Sequence, residues 1–352
     1  MALQTYQDVV NYLQKQHRRK HLLLGNGFSI AYDKKIFSYN ALSLFIQKTD
    51  NKILKKLFRI INTYNFEQIM NQLDVFQRLA NDFLEDNNLA GKITNASDAL
   101  KSSLIDAVST LHPEQIYEIQ KEKSRSCAEL LGEYLGGDGH VFTANYDLLL
   151  YWVLMANISN LGNVVDGFGR ELIEQDEYKP DQEPEYGDLE WGQNKDAQHI
   201  HYLHGALHIF DTGVAIEKEI YDGNYILDNI KKRISKKEYP VFVTAGDGNQ
   251  KLEHILHNQY LDFCYKTLCE ITGSLITVGF RFGDQDHHII NAINKAAKQS
   301  ISNRLRSVYI GVFSIADSKH VESIRPLFKC KVNTFDARTV NIWNRFTDEE
   351  DR

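Results

Sequence analysis

Apolar segments of strand length alternate with amphipathic segments of helix length along most of this chain, and this alternation limits the fold more than any other feature. Strand-like segments occur at residues 21–24, 140–147, 163–168, 199–210, 239–246, 274–280, 307–312 and 331–337. Helical spacing covers residues 5–20, 148–156, 225–237, 252–271, 286–298 and 314–328. Because strands separated by helices usually pair in parallel, the pattern predicts an α/β fold: a mainly parallel sheet with helices on both faces.

A long stretch interrupts this alternation. Apolar residues keep helical spacing through most of residues 40–136, and only Pro113 breaks the pattern. We therefore predict two units: residues 1–39 and 137–352 form the α/β domain, and residues 40–136 form an inserted helical module.

Charge is distributed unevenly along the chain. There are 40 Lys and Arg residues and 47 Asp and Glu residues, for a net charge of -7. Residues 171–198 hold ten acidic side chains against two lysines, and we interpret this proline-bearing stretch as an exposed loop. The basic residues at 231–237 are interpreted as a solvated helix end. The chain as a whole lacks the basic face of nucleic-acid-binding proteins, so nucleic acid is not an expected partner.

The sequence also bears on compartment. The longest apolar run, residues 148–156, is too short to cross a bilayer, and the N-terminus does not read as a signal peptide. The four cysteines form no Cys-x-x-Cys pair, so neither a disulfide framework nor a cysteine-rich zinc site is predicted. We expect a cytoplasmic protein with no membrane partner.

Polar residues follow several of the strand-like segments, at the positions where parallel α/β sheets bind ligands. The first segment ends in the run Gly25-Asn26-Gly27-Phe28-Ser29. Such a turn before a helix lets backbone N–H groups approach a phosphate, although Ile30 stands where the dinucleotide fingerprint has its third glycine. The turn is either a phosphate-binding loop or a corner that needs the conformational freedom of glycine.

The second strand end carries Thr143, Asn145 and Asp147. An asparagine amide has both donors and acceptors, so Asn145 is suited to hold a sugar hydroxyl or a water molecule. The alternative is a local turn in which Asp147 caps the following helix. Both interpretations remain open at this point.

His204 precedes Gly205 within an apolar segment, and it is either a general base or a buried core residue. His199 and His201 lie nearby and suggest a metal. However, His201 and His204 would point to opposite faces of a strand, and no further ligand motif accompanies them. No metal site is predicted.

Taken together and in this order, these segments resemble the sirtuin-like NAD-binding family. That family has a Gly-x-Gly loop with a following Ser, a Thr-x-Asn-x-Asp strand end, a His-Gly pair and a late glycine-containing strand end. The corresponding segments here are Gly25 to Ser29, Thr143 to Asp147, His204-Gly205 and Gly279 to Asp284. The resemblance spans residues 20–335 and is greatest to bacterial proteins without a zinc module, including NAD-depleting antiphage effectors. It implies a Rossmann-like fold.

The resemblance also implies an activity, the cleavage of NAD at the nicotinamide–ribose bond to give nicotinamide and ADP-ribose. Asn145 would orient the ribose or the attacking water, His204 would accept a proton, and Asp147 would support them. The pyrophosphate would lie on the glycine loop. The rest of the implied NAD site consists of Thr143, Gly205, Gly279, Arg281 and Asp284. Arg281 and Asp284 either contact the adenosine half of NAD or form a local ion pair.

The chain departs from protein-deacetylating sirtuins in one respect. Those proteins carry a four-cysteine zinc module after His-Gly, whereas residues 206–239 contain no cysteine. Deacetylation and bound zinc are therefore not expected. The alternative function is a non-catalytic module that binds NAD or ADP-ribose and controls a partner protein. Since the resembling defence effectors act in assemblies, a homo-oligomer or a defence-system partner is implied.

Overall fold

A computed structural model describes most of the chain. The described residues are 3–34, 52–61, 66–83, 91–100, 102–103, 116–173, 186–221, 223, 225–236, 238–243, 248–300 and 303–344. Parts of the predicted helical module, including Pro113, and the middle of the predicted acidic loop, with Pro180 and Pro184, lie outside these ranges. The division into two units accordingly stays a prediction.

The strands are β1 (Lys20–Leu24), β2 (Val141–Thr143), β3 (Phe168–Gly169), β4 (Glu190–Trp191), β5 (Ile200–Tyr202), β6 (Gly205–Asp211), β7 (Ile216–Lys218), β8 (Pro240–Phe242), β9 (Gly273–Val278), β10 (Leu305–Val312) and β11 (Lys331–Asp336). The helices are α1 (Tyr6–Lys15), α2 (Asn26–Tyr32), α3 (Lys52–Ile61), α4 (Phe66–Phe83), α5 (Lys121–Leu135), α6 (Leu149–Ala156), α7 (Ile226–Ser235), α8 (Gly248–His257), α9 (Gln259–Glu270), α10 (His287–Ala297) and α11 (Ile315–Ile324). Residues 91–100 are also helical. Within these ranges, no helix combines the length and apolarity needed to cross a membrane.

Six strands form a fully parallel sheet in the order β11-β10-β9-β1-β2-β5. β1 lies in the interior of this sheet, where Leu24 is opposite both Val278 of β9 and Thr143 of β2. Leu22, Leu23 and Leu24 are completely buried, as expected for a strand covered on both faces. The predicted α/β fold with a mainly parallel sheet and flanking helices is confirmed.

A second sheet was not foreseen. Strands β3, β4, β7, β6 and β8 pair antiparallel in that order, so the segment at 199–210 contributes to two different sheets. The chain leaves the parallel sheet after Tyr202 and enters the antiparallel one at Gly205, which has φ +81°. A side chain at Gly205 would overlap the carbonyl oxygen of Val241, so the reversal requires glycine.

Local polar side chains set several helix boundaries. Helix α1 begins where Thr5 and Asp8 form a capping box, and it ends at Lys15, earlier than the predicted residue 20. The helix predicted at 252–271 is two helices. They break at Asn258, whose side chain accepts a hydrogen bond from the N–H of Leu261 and so starts α9.

Helix α5 packs against β1 and β2, and its apolar face is part of the common core. Cys127, Leu130 and Leu131 of this helix are completely buried. Since α5 lies within the span predicted as an inserted module, at least this helix of that span supports the strands that carry the candidate site.

Candidate functional site

The sheet order defines one position where the direction of chain progression changes. From β1 the chain moves outward to β2 and β5, and it then returns to the other side of β1 to form β9, β10 and β11. In parallel α/β sheets, ligands bind outside the carboxyl ends of the strands at such a switch point. The candidate site is therefore the region around the ends of β9, β1 and β2.

Three glycines bring the ends of β1 and β9 into direct contact. The N–H groups of Gly25 and Gly27 donate to the carbonyls of Val278 and Gly279, at 3.1 and 3.0 Å. An added Cβ at Gly25 would lie 2.6 Å from the Gly279 oxygen, and one at Gly27 would lie 2.6 Å from the Gly279 Cα. Gly279 has φ +69°. The close approach of two backbones thus requires glycine at all three positions.

The other residues of the predicted loop have different surroundings. Asn26, the first residue of α2, is exposed, whereas Phe28 is buried against Trp343. The indole N–H of Trp343 donates to the carbonyl of Phe28 at 3.2 Å, which anchors the start of α2 to the C-terminal part of the described chain.

A polar triad joins the end of β1 to the end of β2. The amide nitrogen of Asn145 donates to the Ser29 hydroxyl at 2.9 Å and to the carbonyl of Gly25 at 3.2 Å. The Ser29 hydroxyl in turn donates to Oδ2 of Asp147 at 2.7 Å. Ser29 is completely buried and Asn145 is 8% exposed. Ser29 is thereby joined to two side chains that lie more than a hundred positions further along the chain.

Asp147 also has the local role that the sequence left open. Its Oδ1 accepts a hydrogen bond from the N–H of Leu149 at 3.0 Å, in the first turn of α6. The hydroxyl of Thr143 accepts from the N–H of Asn145 at 3.1 Å, which shapes the turn after β2. Asp147 therefore has two roles: Oδ2 supports the triad, and Oδ1 caps α6.

His204 lies in the turn between β5 and β6, and it is buried. Its Nε2 is 2.8 Å from Nε2 of His288, at the start of α10. Burial, His288 and the positive charge of Lys251 lower the pKa of His204 well below its usual value, against a hydrogen bond to the backbone of Ala144. Burial and Lys251 likewise lower the pKa of His288 to about 3. Both rings are therefore neutral at physiological pH.

Lys251 of α8 is a buried charge beside this histidine pair. Only 1% of its side chain is exposed, and its ammonium lies 3.3 Å from Oδ1 of Asp286. The pairing compensates part of the cost of burying the lysine. His204, His288, Lys251 and Asp286 thus form one ionisable cluster next to Ala144, the residue before Asn145.

The predicted residues after β9 lie at the surface of the same edge. Arg281 and Asp284 are exposed and form no ion pair with each other. The carbonyls of Arg281 and Phe282 lie 3.0 and 3.1 Å from Nε2 of His320. Phe282 is buried with φ +57°, a conformation that side chains rarely adopt, so the surrounding packing holds this loop in a defined shape.

His199, His201 and His204, which together suggested a metal, do not converge on one site. His201 lies 3.0 Å from His140, on the amino side of the sheet, and His199 bonds the carbonyl of Gly139 there. His204 instead meets His288 and Asp286.

Sequence reasoning missed His288 and Lys251. Both follow strand ends along the chain, but their spacing from His204 carries no motif, since 84 positions separate the two histidines that touch. One signal is the pair His287-His288 at the start of α10, where the structure buries His288 and exposes His287.

Comparison with known proteins adds a family but no function. A search of curated proteins finds no match to this chain. A model of the family described as a domain of unknown function, DUF4917, matches residues 22–343, a span that begins within β1 and ends after β11. The chain belongs to the DUF4917 family.

Proposed function

We propose that the protein binds NAD and cleaves its nicotinamide–ribose bond, releasing nicotinamide and ADP-ribose. One observation carries the proposal: the triad of Asn145, Ser29 and Asp147 lies at the switch point of a parallel sheet, beside the glycine turn after β1. This edge is where such folds bind dinucleotides. The sequence resemblance to the sirtuin-like family supports the same substrate.

The triad suits this reaction because it fixes an amide at the end of β2. Cleavage builds positive charge on the ribose, as in glycoside hydrolysis, and nicotinamide leaves without needing a strong acid because it is already cationic in NAD. Asn145 is held by two hydrogen bonds from its nitrogen, so its carbonyl keeps one orientation toward ribose hydroxyls or water. Ser29 and Asp147 act by positioning that amide.

His204 is the proposed proton acceptor. Its neutral ring has a lone pair for a proton, but the lowered pKa makes it a weak base; the backbone of Ala144 links it to the triad. The exposed guanidinium of Arg281 and the carboxylate of Asp284 would contact the adenosine diphosphate half. The loop from Gly25 to Ser29 and the glycines Gly205 and Gly279 would shape the groove.

NAD is the substrate in this proposal, and its depletion would serve defence against phage. The protein would act within a homo-oligomer or with a partner protein. The four free cysteines fit a reducing compartment such as the cytoplasm.

The test is to incubate the purified protein with NAD and to measure the released nicotinamide by chromatography. Asn145→Ala and His204→Ala should each reduce turnover at least a hundredfold while far-UV circular dichroism remains that of the wild type. Asn11→Ala, which changes an exposed asparagine of α1, is the matched control and should leave turnover unchanged. Turnover that persists in Asn145→Ala would reject the assigned site, and its absence from the wild type would reject the activity.

A second candidate function is favoured by one contact. Nε2 of His204 is already engaged with His288, so the ring is not free in this state. A module that binds NAD or ADP-ribose without cleaving it, and that controls a partner protein, needs no free base. Such a module would show a higher melting temperature with NAD or ADP-ribose and no nicotinamide release.

A further inference from the structure

Three potential metal ligands converge beside the proposed NAD site. One nitrogen each from His204 and His288 and one carboxylate oxygen from Asp286 lie within 4.8 Å of one another. The three residues come from separate pieces of structure: the β5–β6 turn, the first turn of α10 and the short helical turn before it. His204 and His288 are buried, while 22% of the Asp286 side chain is exposed, which leaves one side of the cluster open.

The imidazole of His204 is arranged as a metal ligand usually is. Nε2 faces Nε2 at 2.8 Å, and the ring of His204 also bonds the backbone of Ala144. Metal-bound histidines typically tie their second nitrogen to a backbone carbonyl in this way, which turns the lone pair of the other nitrogen toward the ion. Two nitrogens on one tetrahedral zinc lie roughly 3.3 Å apart, so the pair needs to open by only about half an ångström.

The carboxylate supplies the third ligand and part of the charge balance. Lys251 is 3.3 Å from Oδ1 of Asp286, so the second oxygen, Oδ2, is the one available to an ion. Two histidines and one carboxylate with an open position are a common set for zinc and other divalent transition ions. Lys251 opposes such an ion by repulsion, and this sets the expected direction when the lysine is replaced.

We propose that His204, His288 and Asp286 bind one divalent transition-metal ion, with Zn²⁺ as the probe. The site goes beyond the proposed cleavage of NAD and does not depend on it. An ion there uses the lone pair that His204 would otherwise offer to a proton. The metal-loaded state is therefore an inhibited state of the proposed enzyme, and the ion is not part of its catalytic machinery.

Zinc binding to the full-length protein, measured by competition with a chromophoric chelator, tests the site. The wild type should bind one Zn²⁺ per chain, and His288→Asn and Asp286→Asn should each weaken binding at least about tenfold. Lys251→Met should strengthen it, because the repelling charge is gone. His287→Gln is the matched control: this neighbouring histidine is exposed, and the affinity should not change.

Two results of the zinc titration would overturn the site. A wild type that binds no Zn²⁺, or one whose affinity survives both His288→Asn and Asp286→Asn, overturns the site. Unchanged affinity in Lys251→Met rejects the placement of the ion beside Asp286, and circular dichroism of each variant confirms that it is folded. These readouts need no turnover, so a failure of the NAD proposal leaves them intact. If NAD is cleaved, saturating Zn²⁺ should stop the release of nicotinamide in the wild type and not in folded Asp286→Asn.

Discussion

At the scale of single residues, the hydroxyl of Ser29 has the most demanding surroundings. It accepts from Asn145 and donates to Asp147, and it is completely buried. Ser29→Ala would leave an amide nitrogen and a carboxylate oxygen each short of a partner, so the free energy of unfolding should fall by about 1–3 kcal/mol. Urea denaturation measures this change. Ser323→Ala removes an exposed hydroxyl that bonds only a local carbonyl and should cost much less; equal losses would contradict the role given to the triad.

Residues of this kind differ in how far the sequence predicts them. The glycine turn and Asn145 lie at the ends of strand-like segments, so parallel pairing alone brings them to one edge of the sheet. His204 lies inside the segment at 199–210 and reaches that edge because β5 ends at Tyr202. The bond from Ser29 to Asp147 needs the exact register of β1 on β2, which the pattern does not contain. The contact of His204 with His288 depends in addition on the turn into the second sheet.

At the scale of elements, the turn after β1 and the turn after β9 behave as one unit. Gly279→Ala should be strongly destabilising, by about 2–5 kcal/mol, because the backbone there has φ +69° and the new Cβ would lie 2.5 Å from the nitrogen of Phe28. Gly213→Ala is the matched control. Gly213 has φ +80° with nothing within 4 Å, so its substitution should cost only about 1–2 kcal/mol for the backbone conformation. Similar losses at the two positions would show that the close approach contributes little.

The sequence predicts which segments are strands more readily than it predicts which strands pair. The apolar runs that became β1, β9 and β10 are buried on both faces, and their parallel pairing was predictable. The run at 199–210 also has a strand-like pattern, yet Gly205 divides it between two sheets. A glycine inside a strand pattern can mark a bend or a close approach, and periodicity does not distinguish these.

At the scale of the whole molecule, the two edges of the parallel sheet have different chemistry. The carboxyl edge carries the candidate site, and the amino edge carries a set of packed histidines. The backbone N–H of His140 donates to Nδ1 of His21 at 3.1 Å, and Nε2 of His21 therefore carries the proton that the Thr272 carbonyl accepts. Nδ1 of His140 lies 3.0 Å from Nε2 of His201. These bonds hold the rings in neutral forms, because a second proton on His21 would face an existing N–H group.

The same arrangement predicts that the protein loses stability in mild acid. Burial, followed by repulsion between neighbouring histidines, lowers the pKa of His21 to about 3 and that of His140 to about 4. Above about pH 6.5 the rings are neutral in both the folded and the unfolded chain and do not affect stability. As the pH falls below that value, the unfolded chain takes up protons that the folded protein excludes. The free energy of unfolding should then decrease by up to about 1.4 kcal/mol per pH unit for each of these histidines, until the folded pKa is reached.

Urea denaturation at several values between pH 7.5 and pH 5 measures this slope in a window where ordinary carboxylates remain ionised. His140→Gln removes one of the protons taken up on unfolding, so its slope should be shallower by up to about 1.4 kcal/mol per pH unit, even if the variant is less stable at every pH. His257→Gln, at an exposed position of α8, should keep the wild-type slope. A wild type whose stability is flat from pH 7.5 to pH 5 would mean that the amino-edge histidines accept protons in the folded state. The packing of neutral rings could not then be what holds that edge of the sheet together.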